Sequence, residues 1–214
     1  MRLARPGDTL YMIAWEAGLD YRQLADWNGL ITPYKINSGM RIRLSDPGGD
    51  GKVGTWVTAL SSEGLTATTV ASEAISGASE SGVKSNTLDP KYRVSHWLWP
   101  VTGPIIQHFT GKAGNNGVDI SGRKGTRIRA AADGVVVYAG SGLRGYGQLL
   151  IIQHNDVFLS AYAHNQALLV GEGATVRSGQ TIAEMGDTDA ESPRLHFEIR
   201  RDGKPVNPLD YLAD

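Results

Sequence analysis

Residues 134–140 read GVVVYAG and residues 148–154 read QLLIIQH, and these two stretches decide the fold class of the chain. Both are short runs rich in Val, Ile and Leu that follow glycine, which is typical of buried β-strands. Similar runs recur on both sides, separated by Gly-rich turns at intervals of roughly 8–12 residues, and no convincing long helix interrupts them. The predicted strands cover residues 105–108, 117–120, 126–130, 134–139, 149–154, 158–163, 167–170, 181–185 and 195–200. Residues 96–214, the β-domain, are therefore predicted to fold as a mostly antiparallel all-β domain.

Residues 1–45, the N-terminal module, follow a different pattern. Apolar residues from Leu10 to Ala17 recur at helical spacing, with Asp8 or Thr9 as the N-cap and Gly18 as the terminator. The same spacing recurs from Tyr21, while residues 2–5 and the alternating residues 40–44 are typical of short strands. The predicted order of elements is strand, helix, helix, strand.

Between the N-terminal module and the β-domain, residues 46–95 are mostly Ser, Thr, Ala, Gly and Glu. Such a composition cannot bury enough apolar surface to offset the entropy of ordering, so a flexible linker is predicted. Trp56 and Val57 are the one place in it where a local contact is expected.

Overall composition excludes several classes of function. Among 214 residues, 21 Lys and Arg nearly balance 22 Asp and Glu, so a nucleic-acid-binding surface is not expected. The chain has no cysteine, which excludes disulfides, a thiolate metal site and a lipid-modified cysteine in this sequence. No apolar run is long enough to span a membrane, and the N-terminus MRLARPGDTL lacks the features of an export signal. We expect either a trimmed chain or a start codon assigned too late.

The N-terminal module resembles a LysM domain, through RPGDTLYMIAW at 5–15, DYRQLADWNGL at 20–30 and SGMRIRL at 38–44. The resemblance implies binding of N-acetylglucosamine-containing glycans such as peptidoglycan, through the turn after the first strand and the loop after the second helix. Asp8 and Thr9 could equally serve only to cap the helix. The implied glycan-binding residues are Gly7, Asp8, Thr9, Leu10, Leu30, Ile31, Thr32 and Pro33.

The β-domain resembles the lysostaphin/LytM family of zinc peptidases, which cut peptide cross-links in peptidoglycan. The landmarks are NNGVDI at 115–120, GTRIRAAADGVVVYAG at 125–140, YGQLLIIQH at 146–154, YAHN at 162–165, GATVRSGQTIAEMG at 173–186 and RLHFEIR at 194–200. The resemblance thus implies an α+β LysM module (βααβ) joined by a flexible linker to a mostly antiparallel all-β LytM-type domain.

The resemblance also implies that the catalytic site is degenerate. The family's three zinc ligands fall on Asn115, Asp119 and His196, and its two catalytic histidines fall on His164 and Arg194. An amide is a poor zinc donor, and a permanently charged guanidinium cannot act as a base and repels a metal. We expect no catalytic residue and no bound zinc at this site.

Strand geometry suggests what replaces the metal. Residues two apart on a strand face the same side, so Arg194 and His196 should both point into the cleft, and Arg194 should pair with Asp119. His108 and His154 could complete a metal site, but neither has ligand spacing to Asp119 or His196, and His154 is expected at a strand edge.

The combination of a LysM module with a zinc-less LytM domain resembles the NlpD lipoproteins. This implies an activator of a periplasmic N-acetylmuramoyl-L-alanine amidase in septal cell-wall cleavage and cell division, in the cell envelope, with outer-membrane association of the full-length form. The partner-binding cleft would comprise Asn115, Asp119, His164, Arg194 and His196.

Three alternatives remain open at this point. The chain could be a zinc endopeptidase with an unusual ligand set and weak zinc binding, or a peptidoglycan-binding scaffold. GATVRSGQTIAEMG also resembles biotin- and lipoate-carrier domains, but residues 184–189 lack the lysine that such carriers require.

Overall fold

The computed structural model describes residues 1–47, 94, 96–111 and 115–213. Most of the predicted linker at 46–95, including the proposed Trp56–Val57 contact, lies outside the described residues. Neither α-helix in the described part of the chain has the length and hydrophobicity to cross a bilayer.

The N-terminal module has the predicted order of strand, helix, helix, strand. Its two strands pair antiparallel and are shorter than predicted. Thr9 caps the first helix, since its Oγ1 accepts a hydrogen bond from Met12 N (3.1 Å), and Gly18 ends it with φ 64°. The elements are β1 (Arg2–Leu3), α1 (Leu10–Ala17), α2 (Tyr21–Trp27) and β2 (Arg41–Ile42).

The β-domain is built on one ten-stranded antiparallel sheet, as its short apolar runs and Gly-rich turns predict. The main path has the order β3-β4-β11-β8-β7-β6-β9, while β10 pairs with β5 and β8, and β12 pairs with β11. The strands are β3 (Ile105–Gln107), β4 (Val118–Ser121), β5 (Arg127–Arg129), β6 (Gly134–Gly140), β7 (Gln148–Gln153), β8 (Phe158–Leu168), β9 (Thr175–Val176), β10 (Thr181–Met185), β11 (Arg194–Arg201) and β12 (Lys204–Val206), followed by a 3₁₀ turn at Pro208–Asp210.

One predicted boundary is wrong. The strands predicted at 158–163 and 167–170 are a single strand, β8. His164 adopts φ 63° within it and the pairing register with β7 shifts nearby, which is the geometry of a bulge. Asn165 holds the bulge, because its Nδ2 donates to Gln148 O and Tyr162 O (2.8 Å each), so the strand resumes instead of ending.

The two faces of the sheet pack against different partners. On β7, Leu150 and Ile152 belong to the internal core of the β-domain, whereas Leu149 and Ile151 belong to a cluster shared with the N-terminal module. The described parts of the module and the β-domain form one compact unit. The module therefore docks on the sheet and completes its second apolar face.

Candidate functional site

The candidate site is a cleft at the β4–β11–β8 region of the sheet. Asp119 on β4 and His196 on β11 are direct register partners, and Arg194 begins β11 two residues earlier. His164 lies at the β8 bulge, with its ring centroid 6.1 Å from that of His196. The cleft beside them has a volume of about 670 Å³ and is lined by Gly145, His164, Asp189, Ala190, Glu191 and Arg194.

Asp119 is the centre of the polar contacts. Arg194 Nη1 donates to its Oδ2 (3.2 Å), and His196 Nδ1 lies 2.6 Å from its Oδ1. Burial acts to raise the pKa of Asp119, but the hydrogen bonds and positive charges of His196 and Arg194 outweigh it and hold that pKa below its usual value. Both oxygens of this carboxylate are thus engaged, and the predicted Arg194–Asp119 pair is confirmed.

Arg194 is held in place on its other side as well. Its Nε donates to Ser192 O (3.3 Å) and its Nη2 to Ser192 Oγ (3.2 Å). A guanidinium bonded along both edges is a fixed positive charge in the cleft.

His196 lies between two carboxylates. Its Nε2 lies 3.1 Å from Glu198 Oε1, so both ring nitrogens face acceptors and both donate. Burial acts to lower the pKa of His196, but the hydrogen bonds to Asp119 and Glu198 raise it to about 9. An imidazole in this arrangement has no lone pair to offer a metal.

Glu198 was missed by the sequence analysis, although the alternation of RLHFEIR places it on the same face as His196. It is fully buried and also accepts from Tyr146 Oη (2.6 Å) and Arg200 Nε (3.0 Å). Burial acts to raise its pKa, while His196 and Arg200 lower it below the usual value.

His164 is oriented by the backbone. Its Nδ1 donates to Thr188 O (2.8 Å), which leaves Nε2 as the acceptor nitrogen. Burial is the main cause that lowers the pKa of His164 below its usual value.

Asn115 is directed elsewhere. Its side-chain Nδ2 donates to His108 O, and its backbone carbonyl oxygen accepts from Thr110 N (3.3 Å) and Gly111 N (3.2 Å). The amide is thus used to close the loop between β3 and β4 on itself. The structure brings Arg194 and His196 into direct contact with Asp119, whereas Asn115 contacts the loop backbone.

The two further histidines do not complete a metal site. His108 is exposed. His154 follows the end of β7 but is fully buried, with Nδ1 donating to Asp133 O (2.7 Å) and Nε2 at 2.7 Å from Ser160 Oγ. Within the described ranges, no group of three His, Cys, Asp or Glu side chains could hold a metal ion. The described residues therefore offer fewer than the three protein donors that a catalytic zinc needs.

In the N-terminal module, the first proposed glycan-binding turn is largely occupied by structural contacts. Asp8 Oδ2 accepts from Arg5 N (2.8 Å) and from Arg2 Nη2 (3.2 Å), Thr9 caps α1, and Leu10 is buried. The second stretch is open: Leu30 is half-buried, while residues 31–33 are exposed, Ile31 at 83%.

Two family models match the chain. The LysM domain matches residues 4–45 and Peptidase family M23 matches residues 113–208.

Curated relatives share both regions. The chain is 39% identical to the murein hydrolase activator NlpD of Salmonella typhimurium, over 97% of this chain and 67% of the relative. It is 41% identical to the lipoprotein NlpD/LppB homolog of Pseudomonas aeruginosa, over 98% and 76%. It is 42% identical to the uncharacterized lipoprotein YgeR of Escherichia coli, over 96% and 78%.

Solved structures resemble the β-domain. Helicobacter pylori Csd3 superposes with a TM-score of 0.51 at 28% identity, over 56% of this chain and 35% of that one. A putative M23 peptidase from Pseudomonas aeruginosa superposes with a TM-score of 0.51 at 26% identity, over 54% and 50%.

Proposed function

Because this chain belongs to the NlpD family, in which a LysM domain precedes an M23-type domain, we propose that it binds peptidoglycan and activates a murein hydrolase without cutting peptidoglycan itself. The hydrolase is a periplasmic N-acetylmuramoyl-L-alanine amidase that acts in septal cell-wall cleavage during cell division. The names of the relatives, as activators and lipoproteins, support a place in the cell envelope, and we extend this to the periplasm with outer-membrane association of the full-length form.

The single observation that carries the proposal is the Arg194–Asp119 pair. A catalytic zinc needs three protein donors and an open position for water. Here a guanidinium lies 3.2 Å from one oxygen of the carboxylate that would bind the metal, and a histidine N–H lies against the other. With Asn115 bonded to His108 O, the donor set is incomplete.

The same cleft is suited to a peptide partner. It is concave, and Arg194 provides a fixed cation beside the rim residues Asp189 and Glu191. A protein segment that presents one acidic side chain to Arg194 and donors to the acidic rim would find complementary partners. The exposed residues 31–33 and Gly7 of the N-terminal module remain the proposed contacts with the glycan.

The test compares release of dye from labelled peptidoglycan by a purified N-acetylmuramoyl-L-alanine amidase with and without the chain. We expect no release by the chain alone and stimulation of the amidase by the chain. Arg194→Ala should reduce stimulation by about tenfold or more, since it removes the fixed cation of the cleft from the interface. Arg177→Ala, at an exposed arginine outside the cleft, should behave as wild type.

Metal content separates the remaining alternatives. After incubation with excess zinc and dialysis, elemental analysis should find far less than one zinc per chain. Stoichiometric zinc together with release by the chain alone would instead identify a zinc endopeptidase. Absence of stimulation with intact glycan binding would leave a scaffold role.

A further inference from the structure

The sheet face that carries the cleft continues beneath the N-terminal module. Residues directly opposite each other in an antiparallel pair have their side chains on the same face. His196 therefore shares its face with the next alternate residues of β11 and with their partners on β8. The pairs are His196 with Ala163, Glu198 with Ala161, and Arg200 with Leu159.

Arg200 marks the point where the module covers this face. Its Nη1 donates to Trp15 O (2.7 Å), its guanidinium lies 3.6 Å from the ring centroid of Trp15, and its Nε donates to Glu198. Polar contacts thus run without a break from the module, through Arg200 and Glu198, to His196 in the cleft.

Further contacts fix the module in this position. Tyr11 Oη donates to Gln153 Oε1 (3.1 Å), and Gln153 Nε2 donates to Tyr21 Oη. Arg22 Nη2 lies 2.8 Å from Asp202 Oδ1. The packing is close, since a Cβ placed on Gly203 would lie 2.4 Å from Leu19 O.

Around Glu198 and Arg200, the covered part of the face carries apolar side chains and is continuous with the cleft. If the module moved away, a contiguous patch of buried apolar side chains would reach water, of the kind that marks interaction surfaces. These side chains are Tyr138, Leu143, Leu149, Ile151, Leu159, Ala161 and Ala163.

The module also shortens the groove available to a partner. From Arg194 to Arg200, β11 runs for about 20 Å, and the Arg200 end lies under α1. A cavity of about 390 Å³ separates the open end from the module, with Trp15, Glu16 and Gly18 on one side and Asn116, Tyr146 and Arg200 on the other.

We propose that the N-terminal module is an intramolecular lid on the partner-binding face. In the docked state only the Arg194 end of the groove is open. Undocking exposes the apolar side chains that the module covers, and the hydrolase segment then occupies the whole face in place of the module. This inference rests on the proposed function, because the ligand whose access is controlled is the hydrolase.

The first experiment measures docking without any hydrolase. The chain contains no cysteine, so Ala161→Cys provides a single thiol on the covered face. Its reaction with a maleimide dye should be at least tenfold slower than in unfolded chain. Adding Ile151→Lys, which puts a charge into the interface but would face water once the module undocks, should restore fast labelling. Leu169→Lys, an equal change at an exposed position, should not.

The second experiment fixes or opens the lid and measures stimulation of the amidase. Arg22→Cys/Asp202→Cys places two thiols at an exposed ion pair that joins the module to the turn between β11 and β12. A short reducible bis-maleimide can link the two thiols there. The linked protein should stimulate several-fold less than the same variant unlinked, and reduction of the linker should restore stimulation. Ile151→Lys should stimulate more strongly than wild type or Leu169→Lys.

Three results would overturn the lid. Fast labelling of Ala161→Cys in the otherwise native chain would show that the module does not cover the face, whatever the function. Equal stimulation by the linked, unlinked and opened forms would reject control of access while leaving the activator function standing. Absence of stimulation by every form would reject the activator function, and the lid with it.

Discussion

Single residues in the cleft are constrained by what each can donate or accept. Once the resemblance had placed Asp119 at the site, the alternation in RLHFEIR predicted that Arg194 meets it alongside His196, because strand periodicity fixes which side chains share a face. It held the same information for Glu198 and Arg200, which the sequence analysis passed over. The contact of Asn115 with His108 O could not be predicted, since a loop's backbone path leaves no periodic signal in the sequence.

Gly117 offers a test of how closely β4 and β11 must approach. A Cβ at this position would lie 2.3 Å from Phe197 O and 2.9 Å from Glu198 Cγ. We expect Gly117→Ala to lower the free energy of unfolding by about 1–3 kcal/mol, because the two strands must separate. Urea denaturation measures this, with Gly171→Ala as the control, since nothing lies within 4 Å of a Cβ there. Equal stability of the two variants would contradict the observed packing.

His154 should make the protein sensitive to acid. Burial lowers its pKa from 6.5 to about 4. Between these values the unfolded chain binds a proton that the folded chain does not, so stability is retained above pH 6.5 and falls as pH drops toward 4. The expected loss is up to about 3 kcal/mol. Denaturation from pH 7 to 4 should show a shallower decline for His154→Gln than for wild type, and parallel curves would refute this role.

At the scale of elements, the sequence predicted the kinds of helix and strand better than their ends. Helix α1 has its predicted cap and terminator, since Thr9 and Gly18 act through local chemistry. The division of β8 was wrong because the turn-like residues His164 and Asn165 form a bulge that only the neighbouring strand β7 can reveal. The two-residue strand β9 is too short to give a pattern.

Helix α2 provides a prediction at this scale. Asp20 is its N-cap and accepts from Arg22 N (2.7 Å) and Gln23 N (3.4 Å). Asp20→Ala should destabilise the protein by about 1–2 kcal/mol, whereas Asp26→Ala, on an exposed position of the same helix, should change stability little. Burial acts to raise the pKa of Asp20, but its hydrogen bonds with Arg22 lower it overall. The difference in unfolding free energy between the Asp20→Ala and Asp26→Ala variants should therefore shrink in acid, as pH falls through the folded-state pKa of Asp20.

At the scale of the whole molecule, the order of elements in each region was predictable and the docking of the two regions was not. The Ser/Thr/Ala/Gly-rich residues between them predicted a flexible linker and gave no indication that the two regions pack together. Contacts such as Tyr11 with Gln153 join residues far apart in sequence and follow no repeat. One of the two apolar faces of β7 is nevertheless covered by the N-terminal module.

Shared packing predicts shared unfolding. Calorimetry of the wild-type chain should show one main transition in which module and β-domain unfold together, because separating them exposes the apolar face of the sheet. Ile151→Lys should divide this into two transitions, with the smaller module melting at lower temperature. Two well-separated transitions in the wild type would mean that docking contributes little to stability.

The contact between Arg200 and Trp15 O joins residues 185 positions apart and has a consequence for the order of folding. A chain emerging from its N-terminus completes the module early, but the strand that receives it is among the last to appear. Until that strand is available, Trp15 and its neighbours lack the surface against which they pack. We therefore expect premature association between chains to begin at this interface.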